Sequence, residues 1–176
     1  MKRGNTLSYP RLPLPDTAEV LAFDAVERIL ATDPVLAGVT ETFLAWTGNL
    51  EDLWEPEINT CPFLRISPGG SPSGWETEGQ HRMPMTVTIE AAVVGSDRRQ
   101  IQRYWGAIRT ALFPPRVIGD TTRSDFIRTL TQQAGISRPI LTAPAYGVIE
   151  IGELKGGPRI TLATGTLELI LLISTP

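Results

Sequence analysis

From Met85 to Val94 the chain alternates with a period of two. Met85, Val87, Ile89, Ala91 and Val93 interleave with Thr86, Thr88, Glu90, Ala92 and Val94. A strand sends successive side chains to opposite faces, whereas a helix brings together residues three and four apart. The segment is therefore a strand with one face aimed at a core. A second long strand is read from Ile160 to Ser174, with Leu167, Leu169, Leu171 and Ile173 on one face. Thr164-Gly165, midway along it, marks a bend or bulge.

Two helical stripes flank these strands. Ala18, Leu21, Ala22, Ala25, Val26, Ile29 and Leu30 recur at helical spacing. Asp16 and Glu19 resemble a capping box at the start of that helix, and Asp33-Pro34 ends it. The second helix opens at Ser96 or Asp97 and carries Ile101, Tyr104, Trp105, Ile108, Ala111 and Leu112 on its apolar side. Pro114-Pro115 stops it. Between the helices, residues 39–48 and 63–66 read as strands, and 147–155 reads as one before the Gly156-Gly157-Pro158 turn. The order is α-β-β-β-α-β-β, with neighbouring strands paired as antiparallel hairpins. Both helices must bury a stripe, so the expected fold is α+β, two main helices packed on one face of a mostly antiparallel sheet.

Around this single domain, 16–176, lie segments that serve no obvious core. Residues 1–15 form a proline-rich extended arm, 67–82 a projecting hairpin tipped by SPGGSPSG, and 116–146 a long insertion with a short helix at 124–134. Apolar residues at 41% and charged residues at 20% describe a globular chain. A net charge of −3 leaves no basic footprint for nucleic acid. The most apolar stretch, Leu167 to Ile173, is far short of the ~20 residues that span a bilayer.

Catalytic motifs are scarce. Neither glycine pair continues into a P-loop, and no GxGxxG, HExxH or GxSxG string occurs. Cys61 is the only cysteine and His81 the only histidine. Glu76, Glu78 and His81 could supply three metal ligands, but on one extended strand His81 faces away from both glutamates. Cys61 reads as a small buried hydrophobe at a strand entrance. Trp54 and Trp75 sit in polar surroundings, as anchors of a protein contact or as local lids over the core. Arg98, Arg99, Arg103 and Arg109 are either a solvated helix face or a docking surface.

The opening helix ends in LATDPVLAGV (30–39). CPFLRISPGG (61–70) then leads to MTVTIEAAVVGSDRRQIQRYWGAIRTALFP (85–114), a strand delivering the chain into a helix closed by Phe-Pro. In this order the chain resembles bacteriophage tail terminator proteins over most of its length, from Asp16 to Thr175. The shared strings are patterns of fold rather than signature residues, and the 116–146 insertion exceeds the shortest members. The resemblance implies a structural virion protein of the tail or neck, assembled in the host cytoplasm, with no catalytic residue and no cofactor. It implies a self-assembled ring, commonly a hexamer, seated on the last tail tube ring and facing the head–tail connector or stopper protein. DNA would pass through its lumen without being read, and no membrane is involved. On this reading Trp54, Trp75, Glu76, Glu78, His81, Arg82, Arg98, Arg99 and Arg103 belong to interfaces. Other readings are a connector or stopper subunit, a small-ligand-binding α+β domain, and an enzyme using His81 with Glu76 or Glu78.

Overall fold

The computed structural model describes residues 18–45, 58–69, 75–77, 80–114, 136–150 and 156–174. The arm at 1–15, the cap residue Asp16 and the helix expected at 124–134 lie outside these residues. The fold is α+β, with a mixed, mostly antiparallel sheet and three α-helices among the described residues. The helices are α1 (Ala18–Thr32), α2 (Pro34–Ala37) and α3 (Arg98–Leu112). The strands are β1 (Thr42–Ala45), β2 (Phe63–Pro68), β3 (Trp75–Thr77), β4 (Gln80–Val94), β5 (Ile136–Leu141), β6 (Ala145–Glu150) and β7 (Arg159–Ser174).

β4 and β7 are the frame. They pair antiparallel without interruption from Gln80↔Ser174 to Val94↔Ile160. At ~3.4 Å per residue that ribbon is about 50 Å long. β2 and then β3 line the outer edge of β4, while β6 and β5 share the outer edge of β7. The bend expected at Thr164-Gly165 is absent from the β4–β7 register, which runs straight through Gly165↔Ile89.

The odd-numbered positions of β4 and β7 carry the core. Met85, Val87, Ile89, Ala91 and Val93 join Ala163, Leu167, Leu169 and Leu171 in one buried cluster with both long helices. α3 contributes Ile101, Tyr104, Trp105, Ile108 and Leu112, the stripe its sequence sets out. α1 contributes Ala22, Phe23, Val26, Ile29 and Leu30, whereas Leu21 faces water at 45% exposure. The stripe of α1 is therefore rotated by part of a turn, with aromatic Phe23 taking the core place expected of Leu21. Asp33 does end α1, and its carboxylate also accepts from the Val35 and Leu36 N–H groups to cap the one-turn α2.

Three expectations are corrected. β1 runs parallel to β2, not as its hairpin partner; the connection 46–62 is longer than the dozen or so residues a parallel return needs. Part of the supposed 116–146 insertion is sheet, because β5 and the start of β6 pair with β7. The strand order thus gains β3 and β5 over α-β-β-β-α-β-β. Finally, the 67–82 hairpin is not separate from the sheet: Gln80–Arg82 continue β4 and pair with β7, and Trp75–Thr77 pair back on them. Chain reversal falls between Thr77 and Gln80 rather than at SPGGSPSG, as the Thr77↔Gln80 pairing requires.

Tyr104 ties α3 to the end of α2. Its hydroxyl and that of Thr40 lie 2.7 Å apart in a hydrogen bond. Burial pushes the phenol up to about 12, against a smaller opposing pull from the Thr40 hydrogen bond. The folded state therefore holds a proton that the unfolded chain, with its phenol near 10, has released. The associated stability is complete below pH 10 and is lost as pH rises towards 12, by up to ~1.4 kcal/mol per pH unit. Tyr104→Phe is expected to cost about 1 kcal/mol at pH 8 through the lost hydrogen bond. Denaturation curves from pH 8 to 12 should show a shallower alkaline decline than the wild type; identical slopes would refute the assignment.

Candidate interaction surface

Of the residues expected at interfaces, Trp54 and Glu78 lie outside the described residues. Trp75 and Glu76 are in β3, and His81 and Arg82 in β4. Their register pairs Trp75 with Arg82 and Glu76 with His81. The expectation that His81 and Glu76 diverge assumed one continuous strand. The antiparallel register instead makes them opposite members of one rung. Among the described residues no group of three or more His, Cys, Asp or Glu is placed to hold a metal.

Arg98, Arg99 and Arg103 lie on α3 and are exposed, as is Arg109. Asp97 caps the helix by accepting from the Arg99 N–H at 2.9 Å. The guanidinium of Arg98 stacks 5.3 Å above the ring centre of Tyr146 in β6, a cation–π contact across to the sheet edge. Among the described residues none of these four arginines forms an ion pair; the pairs present are Arg65–Glu90 and Arg159–Glu150, on other strands.

The flank of α3 that carries Arg98, Gln102, Trp105 and Arg109 faces the β5–β6 edge across a cleft of about 360 Å³. Leu141, Thr142, Ala143, Pro144 and Tyr146 form its opposite wall. That wall exists because β5 and β6 are one broken strand. The register against β7 shifts between Ser137 and Ile140, and residues 142–144 leave the ladder before Ala145 resumes it. Thr142 closes the gap. Its N–H donates to the Thr166 carbonyl at 2.9 Å, and its hydroxyl accepts from the Thr166 N–H at 2.9 Å.

Beneath the cleft, Trp105 rests on Gly165: a Cβ there would lie 2.5 Å from the indole Cζ2. The glycine read from sequence as a bend is a seat for a tryptophan.

The same edge leaves apolar groups in water. Ile140, Tyr146, Val148 and Ile149 are all exposed, and every residue of β6 is. Exposed apolar edge strands are surfaces that proteins normally blunt or cover. Cys61 is half-buried against the small cluster of Phe63, Ala92 and Ile160, where burial raises its thiol pKa; its reading as a packing residue fits this position.

Sequence reasoning found the arginines of α3 but not the cleft. Gln102, Leu141, Pro144 and Tyr146 carry no local signal that would join them. No helix among the described residues is long and apolar enough to cross a membrane. No protein-family model matches the sequence, and no curated protein matches it either.

Proposed function

We propose that the chain is a ring-forming structural subunit of a phage tail or neck. It sits at the head-proximal end of the tail, stops tail tube polymerisation and joins the tail to the head-side connector. The observation that carries this reading is the exposed apolar edge formed by β5 and β6, with Ile140 and Val148 at 57% and 56% exposure. An edge of that kind suits burial against another subunit. The element order it shares with tail terminator proteins, from the amphipathic α1 to the strand–helix delivery of β4 into α3, supports the same reading. The contact surfaces differ, since β1 lies at one edge of the sheet and β5–β6 at the other. Contacts between unlike patches close into rings where the rotation between copies closes, and run on as filaments where it does not.

The purified protein is expected to have the mass of a closed ring, a hexamer by the resemblance. Added to polymerising tail tubes, it should cap them at one end and fix their length in electron micrographs. A strict monomer that never meets a tube end would remove the proposal. Rings that bind connector but leave tube length unchanged would favour a stopper subunit.

A second reading, a small-ligand-binding domain, is favoured by the cleft beside α3. Its volume lies near the lower end of the ~300–1,000 Å³ usual for such sites. A ligand-dependent rise in melting temperature that is lost on Arg109→Ala would support it.

A further inference from the structure

We propose that the cleft between α3 and the β5–β6 edge receives segment 51–57 of a second copy of the chain. The inference rests on the proposed ring and names one of its contacts.

Trp105, Leu141, Pro144 and Tyr146 give the cleft an apolar lining; Gln102 and Arg109 line it as well, and Arg98 stands over Tyr146. From Arg98 to Leu112, α3 contains four arginines and no acidic residue. With none of the four neutralised by an ion pair among the described residues, their field favours an acidic partner.

Two segments set a tryptophan among acids, and 51–57 holds four of them against the two beside Trp75. Residues 51–57 read EDLWEPE, four acids around Leu53 and Trp54. An aromatic anchor flanked by carboxylates fits a small apolar cleft rimmed by arginine, and tryptophan and arginine dominate the energetics of protein contacts.

Topology points to a second copy as the donor. The segment is tethered by Ala45 at the end of β1 and by Ile58, which leads into β2. β1 and β2 lie at one edge of the sheet, and the cleft lies at the other, beyond β4 and β7. Three to four strand spacings of ~4.8 Å separate them, about 14–19 Å in a straight line. Trp54 stands nine residues from Ala45 and four from Ile58, and four extended residues reach only ~14 Å. The cleft lies on the helix-covered face, so an internal path must also climb over α1 and α3, and the chain falls short. A neighbour that presents its β1–β2 edge to this β5–β6 edge has no such detour. Opposite edges in contact make the interface head-to-tail, the kind that closes a ring.

Two charge reversals test this, one in the cleft (Arg109→Glu) and one in the segment (Asp52→Lys with Glu55→Lys). By light scattering coupled to size exclusion, the wild type should form rings and each variant alone should remain monomeric. An equimolar mixture of the two should regain rings of alternating copies, because one contact between them is wild type and the other carries the same charges exchanged. Circular dichroism of each variant checks that it is folded. The labelled peptide 49–59 (NLEDLWEPEIN) should bind wild-type protein and bind Arg109→Glu at least ten-fold more weakly. Raised salt should weaken the binding. Rings that persist in both variants overturn this contact while leaving the ring proposal standing. A wild type that is monomeric at every concentration overturns both. Monomeric variants that fail to pair when mixed overturn the contact in favour of another surface or of an internal role for the segment.

Discussion

Trp105→Ala is expected to lower unfolding free energy by about 3–5 kcal/mol, the usual cost of removing a buried tryptophan. Gly165→Ala is expected to lower it by about 1–3 kcal/mol, a cost of overpacking. In combination the two should cost clearly less than their sum. The indole is 5% exposed and wedged between α3 and β7, so it cannot swing away from a new methyl group. Its Cζ2 and Cη2 would lie 2.5 and 2.6 Å from a Cβ at position 165, well inside contact distance. Once the indole is gone, the same methyl enters the space it vacated and recovers part of the lost packing. A double-mutant cycle by chemical denaturation should therefore give a coupling of at least ~1 kcal/mol. Strict additivity would mean that the ring does not rest on the glycine.

That glycine illustrates what a single sequence conveys. Gly165 in a strand signals either a distorted backbone or the close approach of another group. The strand pattern alone cannot choose, because the approaching group comes from Trp105, sixty residues earlier in the chain. The two long strands and α3 were legible because their signal is local: a period of two, a period of 3.6, and Asp97 as a cap. The edge was not. The run Ile136–Leu141 contains Pro139, which weakens any strand assignment. Proline is tolerated, however, on edge strands and at bulges, and Pro139 occupies both: β5 is at an edge and its register shifts between Ser137 and Ile140. The parallel return of β1 was hidden for a related reason. Alternation reports which face a residue takes, and says nothing about which way the neighbouring strand runs.

The candidate surface divides in the same way. Four arginines on one helix without an acid are visible in the string, and their exposure follows from the opposing apolar stripe. The cleft beside them depends on where β5 breaks against β7, so it becomes visible only when residues 98–109 and 141–146 are brought together. The pairing of Glu76 with His81 likewise follows from a reversal two residues away, which an assumption of one continuous strand conceals.

Phe63→Ala is expected to cost about 3–5 kcal/mol, a core-sized loss on the sheet face that no described helix covers. Leu64 and Ile66 of β2 join the helix-side core, so Phe63 belongs to the opposite face. There it is fully buried with Ala92 and Ile160, alongside Leu162. The sequence of β4 contains the reason. Its outward set is Thr86, Thr88 and Glu90, then Ala92 and Val94, so the polar half of the alternation ends after Glu90. Up to Glu90 the outward face is wet, and Glu90 there pairs with Arg65 directly across the ladder. At Ala92 the sheet is buried on both sides, which is why Ala91, Ala92 and Val93 are buried consecutively before Val94 returns to 44% exposure. Ile170, outward-facing at the far end of β7 and 38% exposed, is the matched control, and Ile170→Ala should cost under about 1 kcal/mol. The two substitutions, compared by urea denaturation, measure whether this face holds a second core at one end and solvent at the other. A cost for Phe63→Ala no larger than that for Ile170→Ala would show that Phe63 is covered without being packed. A full core-sized loss would make the β2–β4–β7 end the rigid base from which the long ribbon extends.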